Sequence, residues 1–141
     1  MLRISFTGTR EGMNDWQRTQ IKTWLIDHRG TVLSAAHGCC VGADVQFHEL
    51  VREALGRDVL IAVFPSTAKT AAPIPRDSNY VHHQRLDPLI RNKLIIDEGP
   101  DVLLAAPRGP EITRSGTWAA IRYARKKKML IHIFIPKSQA R

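Results

Sequence analysis

The chain has 141 residues, is 43% hydrophobic and carries a formal net charge of +8 at pH 7, a length that predicts one domain, 1–141, and is too short for two. No apolar run reaches the roughly 18 residues that cross a bilayer, and the N-terminal segment is too polar for a signal peptide, so we expect a cytoplasmic protein with no membrane partner. The two cysteines, Cys39 and Cys40, are adjacent, which disfavours a structural disulfide and fits no standard metal-ligand spacing, so no metal site is expected.

Strand and helix patterns alternate along the chain, which is typical of βαβ units and a mostly parallel sheet. Residues 65–83 contain three prolines and are predicted to form one long loop. The sequence therefore predicts a three-layer α/β domain in which helices cover both faces of a five-stranded sheet. In chain order the predicted elements are a strand at 3–7, a helix that Asn14 or Asp15 caps and that runs to 28, a strand at 31–36, a helix from 43 to 55 that Gly56 ends, a strand at 59–64, a helix at 86–98, a strand at 101–106, a helix at 117–128 and a strand at 129–135.

Three turns follow the carboxyl ends of predicted strands, and each has the composition of an anion-binding turn. They are TGTR at 7–10, HGCCVGAD at 37–44 and the loop that ends RSGT at 114–117. Backbone N–H groups at a helix start attract phosphate together with the helix dipole. In open parallel sheets ligands bind beyond the carboxyl ends of the strands, where the strand order reverses. We therefore expect the three turns to form one crevice for a phosphate-bearing small molecule.

The three turns offer different chemical groups to such a ligand. Gly8 permits a sharp turn, and the Arg10 guanidinium suits a phosphate or a carboxylate. Asp44 either caps the helix that follows it or accepts hydrogen bonds from a ribose or a base. Ser115 and Thr117 add hydroxyls to the strongest of the three anion sites. The other candidates in these turns are Gly38, Gly42, Arg114, Gly116 and Trp118, of which Trp118 either stacks on a base or packs in the core.

The excess positive charge lies at the C-terminal end of the chain. Residues 1–121 carry 14 basic and 13 acidic side chains, whereas residues 122–141 contain basic side chains and no acidic ones. The strip at 122–128 either contacts nucleic-acid phosphates or is the solvated last turn of a helix, and a basic tail follows at 137–141. An aromatic content of 6% leaves few platforms on which bases can stack. Nucleic acid is therefore the less favoured partner.

Four blocks, TGTR, HGCCVGAD, RNKLIIDEGPDVLLAAP and RSGTWAAIRYAR, resemble in that order the SLOG superfamily, which includes the LOG-type nucleotide phosphoribohydrolases and the DNA-processing SMF/DprA proteins. The resemblance spans residues 3–136 and is strongest to small stand-alone SLOG proteins related to YpsA, which are common in bacteria, phages and mobile elements. It implies a Rossmann-like fold, a nucleotide ligand and, because related proteins are often oligomers, a homo-oligomer. It also adds Thr9, Ala43, Arg91 and Asn92 to the crevice, although composition alone would place Arg91 and Asn92 on the surface.

The chain departs from the LOG pattern in the phosphate loop. LOG-type enzymes carry Pro-Gly-Gly-x-Gly-Thr-x-x-Glu with a catalytic glutamate, whereas Thr113 and Arg114 replace the first two glycines here and Ala120 replaces the glutamate. The resemblance then implies a nucleotide sensor, carrier or sequestering protein, such as a phage sponge for a defence signal or a molybdenum-cofactor carrier, with no certain cofactor and no catalytic residue assigned. Two alternatives stay open: an enzyme on nucleoside phosphates that uses another acid, such as Asp44 or Glu111, and a protein that binds single-stranded DNA.

Overall fold

The computed structural model describes residues 1–137, so the basic tail expected at 137–141 lies, apart from Lys137, outside the described residues. None of the helices within residues 1–137 is long and apolar enough to cross a membrane. The strands are β1 (Leu2–Gly8), β2 (Val32–His37), β3 (Leu60–Val63), β4 (Tyr80–Val81), β5 (Val102–Ala106) and β6 (Leu130–Ile133). The helices are α1 (Asp15–Asp27), α2 (Ala43–Leu55), α3 (Pro88–Asp97) and α4 (Gly116–Lys126).

The six strands form one parallel sheet in the order β4-β3-β2-β1-β5-β6. The predicted α/β class and parallel sheet are confirmed, but the predicted count of five strands is wrong. The additional strand, β4, is a two-residue edge strand that pairs Tyr80 with Ala62 and Val81 with Val63. Both residues of β4 are exposed. A strand this short shows no alternation of apolar and polar residues, so it has no sequence signal.

The core consists of two apolar layers, one on each face of the sheet. On the first face Phe6 of β1 stacks on Phe47 of α2, with ring centroids 4.4 Å apart. On the other face Leu103 of β5 packs with Ala120 and Ala124 of α4. Every residue of β5 is buried, which explains why its sequence is continuously apolar rather than alternating.

The strand order reverses between β1 and β5. The chain runs from β1 outward through β2 and β3, then returns to the other side of β1 with β5. At such a point the two connections leave in opposite directions and open a gap beyond the carboxyl ends of the strands. The fold thus places the ends of β1 and β5 at the bottom of a natural crevice.

The start of α1 is tied to the loop that follows β5. Asn14 caps the helix and forms a capping box with Gln17. Of the two predicted caps, Asn14 and Asp15, the structure therefore shows Asn14. The Gln17 side chain is buried and donates to the carbonyls of Pro107, at 2.8 Å, and Phe134, at 2.7 Å. This contact holds the chain directly after β5 in position beside the crevice.

Candidate functional site

A crevice of about 360 Å³ opens beyond the carboxyl ends of β1, β2 and β5. Its walls come from the β1–α1 turn, the β2–α2 turn, the long loop after β3, the start of α3, and the loop and first turn of α4. The three turns singled out in the sequence therefore meet in one place. The predicted residues that line the crevice are Gly8, Thr9, Arg10, Gly38, Asp44, Arg91, Asn92, Arg114, Ser115, Gly116 and Thr117.

Three of the predicted residues support the crevice without lining it. Gly42 has a φ of +88°, and a Cβ there would collide with the backbone carbonyl of Arg10. Ala43 is fully buried beside it. Trp118 is also buried, and its Nε1–H donates to the Gly109 carbonyl at 3.1 Å. Of the two roles open to Trp118, the structure shows packing and not exposure to a base.

The β1–α1 turn brings a carboxylate to the crevice. The Thr9 hydroxyl donates to Glu11 Oε1 at 2.6 Å, and the Glu11 N–H donates back to Thr9 Oγ1 at 3.2 Å. The hydrogen bond from Thr9, together with the positive charges of Arg108 and Arg10, lowers the pKa of the Glu11 carboxyl. Glu11 is therefore ionised beside two arginines at neutral pH.

The β2–α2 turn brings a second carboxyl to the crevice, in a different state. Burial raises the pKa of Asp44 to about 6, although the Arg91 charge and the N–H groups of Cys40 and Gly38 act in the opposite direction. The Cys40 N–H donates to Asp44 Oδ2 at 3.0 Å. Asp44 therefore binds an N–H group of the turn that precedes α2, and it also lines the crevice. The alternative prediction, that Asp44 caps α2, is wrong, because the N-cap of α2 is Gly42 and, among residues 1–137, no side chain caps this helix.

Arg91 lies on α3, and its side chain connects the carboxyl ends of β2 and β3. Its guanidinium is buried and donates to the carbonyls of Gly38 and Phe64, the latter over 3.0 Å, while its Nε–H donates to Asn92 Oδ1 at 2.8 Å. A Cβ on Gly38 would lie 2.6 Å from the guanidinium carbon. Only glycine therefore allows this close approach, and Arg91 is buried rather than on the surface.

The start of α4 presents unused donors to the crevice. Ser115 caps the helix, because its hydroxyl accepts from the Trp118 N–H at 3.1 Å. The N–H groups of Gly116 and Thr117 lie in the first turn, which has no acceptor within the helix. No backbone or side-chain acceptor within residues 1–137 is bonded to them. Because Gly116 and Thr117 line the crevice, the positive end of the α4 dipole lies at the crevice.

Three arginines around the crevice are weakly neutralised. Arg10 lies 3.7 Å from Glu11 and is largely exposed, and neither Arg108 nor Arg114 forms an ion pair with a carboxylate within residues 1–137. In contrast, Arg122 of the basic strip donates to Glu111 at 3.1 Å. The crevice therefore keeps positive charge that carboxylates in the described part of the chain do not pair with, whereas Arg122 is paired.

Several crevice residues were not predicted from the sequence. Arg108 follows the buried strand β5 by two residues, and this placement is a signal that sequence reasoning missed. Glu11 directly follows the TGTR turn and is a similar case. Ala68 and Thr70 come from the long loop, and no local pattern distinguishes them. The other unpredicted lining residues are Phe6, Thr7, Cys40, Pro88 and Ile112.

The fold and the position of the crevice define a class: a Rossmann-like, three-layer α/β domain with its cavity at the reversal of strand order. Comparison with known proteins agrees with this class. No protein-family model matches the chain, and no curated protein matches it significantly. Similarity appears only in three-dimensional structure.

Three solved structures share the fold. A molybdenum cofactor binding protein from the phototrophic bacterium Rippkaea orientalis has a TM-score of 0.69 and 14% identity, covering 94% of this chain and 75% of that protein. The X-ray structure of TM1055 has a TM-score of 0.64 and 17% identity, covering 93% and 72%. DNA processing protein A from Helicobacter pylori, solved for its single-stranded DNA binding mode, has a TM-score of 0.65 and 15% identity, covering 98% and 66%. At such identities the likeness establishes the fold alone.

Proposed function

We propose that the chain is a single domain of the SLOG superfamily, related to its small stand-alone members, that binds a nucleotide or a nucleotide-derived, phosphate-bearing small molecule. The observation that carries this proposal is the start of α4. The free N–H groups of Gly116 and Thr117 lie in the same crevice as Arg10, Arg108 and Arg114. Helix N–H groups and arginines together are the donors that phosphate oxygens prefer.

Other groups in the crevice suit the remainder of a nucleotide. Asp44 and Asn92 both line it, and they supply oxygen acceptors for the hydroxyls of a ribose or the N–H groups of a base. The cavity of about 360 Å³ falls within the range of small-molecule sites. A ligand with an anionic end and a polar, hydrogen-bonding end fits this distribution of charge.

Several biological roles are compatible with binding of this kind. A sensor, a carrier and a sequestering protein, phage-encoded or not, would all need the same crevice. A molybdenum-cofactor carrier is one version, supported by the structural likeness to the Rippkaea protein. We also expect a homo-oligomer. The crevice does not need a loop from a neighbouring subunit, because Ala68 and Thr70 of the long loop line the crevice of their own chain.

The test is mass spectrometry of the small molecules released when the purified protein is denatured. We expect a nucleotide or a related phosphate to be released from the wild type and to be lost from an Arg10→Ala, Thr117→Ala double variant. The matched control is Arg57→Ala, Thr19→Ala, which makes the same changes at positions outside the crevice. Isothermal titration against a nucleotide panel follows. No heat with any nucleotide would contradict the proposal.

An enzyme that acts on nucleoside phosphates is the second candidate, and Asp44 favours it. Burial holds the pKa of Asp44 at about 6, which suits a general acid at neutral pH. Glu111, the other acid considered, does not line the crevice and pairs with Arg122 and Arg125. Ala120, at the position of the LOG glutamate, is buried in the α3–α4 core. Release of free base that Asp44→Asn abolishes would support this candidate, and no release over long incubation would end it.

Binding of single-stranded DNA is the third candidate, supported by the structural likeness to DNA processing protein A. The basic strip argues against a large contribution, because Arg122 and Arg125 pair with Glu111 and Lys127 lies 3.6 Å from Asp97. DNA binding through phosphates must weaken steeply with salt. A gel shift that is absent, or that does not change with salt, would end this candidate.

A further inference from the structure

A series of hydrogen bonds runs from the β2–α2 turn, through a side chain of α2, to the loop that follows β3. It starts at the Cys39 N–H, which donates to His37 Nδ1 at 3.0 Å, and continues from His37 Nε2 to His48 Nδ1 at 2.9 Å. It ends where His48 Nε2 meets Asp77 Oδ1 at 2.7 Å. Both histidines are buried. Asp77 belongs to residues 65–79, which we call the wall segment.

The direction of every hydrogen bond in this chain is determined by its first donor. A backbone N–H can only donate, so His37 Nδ1 must accept and the His37 proton must lie on Nε2. That proton is donated to His48 Nδ1, so the His48 proton must lie on Nε2 and is donated to Asp77. A further proton on either ring would place two donors against each other. The chain of bonds therefore exists only while both imidazoles are neutral.

These hydrogen bonds, together with those of Arg52 to Asp77 and Asn79, hold the wall segment against the crevice. Ala68 and Thr70 of this segment line the crevice. The segment is also joined to the β2–α2 turn, because the Val41 N–H donates to the Thr70 carbonyl and the Ala72 N–H donates to the Cys39 carbonyl, each at 2.8 Å. Asp77 anchors the far end of the segment. Cys39, the first donor in the series of hydrogen bonds, thus also contacts the wall segment, which contains the last acceptor.

The surroundings of His37 favour its neutral form. His37 faces His48 of α2 and the positive charge of Arg91 of α3. Burial, and then these two neighbours, lower the pKa of His37 to about 3. At the other end partial burial raises the pKa of Asp77, but the hydrogen bond from His48 and the charge of Arg52, whose Nε lies 3.1 Å from Asp77, outweigh it and lower that pKa. Asp77 therefore stays an acceptor in mild acid, when an exposed histidine takes up a proton.

We propose that His37, His48 and Asp77 form an acid-released latch, which holds the wall segment in place at neutral pH and frees it when His37 is protonated. The latch is a property of the chain without ligand. That its opening also releases the ligand rests on the proposed function. No part of the nucleotide proposal uses these two histidines, which do not line the crevice.

The direction of the pH effect follows from linkage. In the open state His37 regains an ordinary pKa of about 6.5, whereas in the closed state it is about 3. Above pH 6.5 both states are neutral and pH has no effect. Between the two pKa values the open state binds the proton and the closed state does not. Each decrease of one pH unit therefore raises the equilibrium constant for opening by up to about tenfold. At pH 5 the open fraction is about thirtyfold higher than at pH 7.5.

The experiment is hydrogen exchange, followed by mass spectrometry, of the full chain without ligand at pH 7.5 and pH 5. After correction for the chemical exchange rate, we expect the protection factors of peptides from the wall segment to be about thirtyfold lower at pH 5 than at pH 7.5. Peptides from β5 should stay protected at both values, which shows that the domain is still folded. Equal protection of the wall segment at both pH values overturns the latch.

Three variants assign the effect to the latch. His37→Gln, His48→Gln removes both imidazole rings, and the loss of protection with pH should disappear. The control His83→Gln makes the same change at an exposed histidine and should leave the effect intact. Asp44→Asn removes a crevice group that titrates near this range, and the effect should persist. If Asp44→Asn abolishes it, the latch is wrong even where the double variant does not fold.

The result is independent of the nucleotide proposal. An opening of the wall segment in acid would stand even if no nucleotide were ever found in the crevice. Conversely, a nucleotide bound in the crevice of a protein whose wall segment shows no pH dependence would support the proposed function and overturn the latch.

Discussion

At the scale of single residues, the crevice depends on close backbone approaches and on one buried carboxyl. Gly42 and Gly38 let other groups come nearer than a Cβ would allow, the first a carbonyl and the second a guanidinium. Asp44 carries its raised pKa because folding buries it. Each of these properties changes with a single atom or a single proton, so each can be tested by a single substitution.

We expect Gly42→Ala to destabilise the protein by about 3 kcal/mol, because the substitution combines a strained positive φ with a collision against the Arg10 carbonyl. The control is Gly30→Ala, where φ is +84° but nothing lies within 4 Å of the added Cβ, so only the backbone strain of about 1 kcal/mol applies. Unfolding in denaturant measures both. Equal losses would mean that the collision is relieved by a small backbone shift.

Asp44→Asn should have a pH-dependent effect on stability. An aspartate carboxyl ordinarily has a pKa of 3.8, and folding raises the pKa of Asp44 to about 6. The wild type therefore loses stability as the pH rises through this range, since ionisation is harder in the folded state. The variant does not titrate, so its stability relative to the wild type should rise by about 3 kcal/mol between pH 3 and pH 7. His37 is present in both proteins and cancels. A constant difference in the free energy of unfolding would contradict the raised pKa.

At the scale of elements, what matters is how each helix begins. Three helices have a side-chain cap: Asn14 for α1, Asp87 for α3 and Ser115 for α4. The start of α2 has no side-chain cap, and Gly42 stands there instead. The capped start of α4 leaves two N–H groups free for a ligand. The position of Ser115 therefore serves both the helix and the crevice.

Ser115→Ala should reduce stability by about 1 kcal/mol, which is typical for the loss of an N-cap. Asp87→Ala, at the cap of α3, should reduce it by a similar amount and serves as the matched control, because Asp87 does not line the crevice. The two variants should differ in the thermal shift that inorganic phosphate produces, which only Ser115→Ala should diminish. The same shift in both variants would show that the start of α4 is not where phosphate binds.

At the scale of the whole molecule, the crevice is assembled from parts that are distant along the chain. Arg91 illustrates this, because it reaches from α3 to the carbonyls at the ends of β2 and β3, 53 and 27 residues away. The Gln17 side chain similarly joins the start of α1 to the chain after β5 and β6. These long-range contacts couple the shape of the crevice to the stability of the sheet.

Arg91→Met should therefore be costly, because it leaves the carbonyls of Gly38 and Phe64, at the carboxyl ends of β2 and β3, without their donor. We expect a loss of about 3 kcal/mol in the free energy of unfolding. Arg29→Met is the control: Arg29 also donates to a backbone carbonyl, that of Ala54 at 3.0 Å, but from an exposed position, and it should cost less than about 1 kcal/mol. A small effect at Arg91 would mean that water replaces the guanidinium.

Most of the fold was predictable because its signals are local. Apolar runs marked the buried strands, and Asn14 and Gly56 marked helix ends. The strand that was missed, β4, has two residues and is held by one neighbour, so nothing local distinguishes it. The resemblance to SLOG proteins suggested Arg91 and Asn92 for the crevice, although composition alone placed them on the surface, and only the fold shows Arg91 buried.

By itself the amino-acid sequence determined the α/β class, the order of the main elements and the three turns, because hydrophobic periodicity, caps and glycines act over a few residues. Only the tertiary structure decided that Trp118 packs inward, that Glu11, Arg108 and the wall segment join the crevice, and that His37 meets His48 and Asp77. Those contacts join residues far apart in sequence. Burial and mutual distance, which set their hydrogen bonds and pKa values, exist only once the sheet has formed.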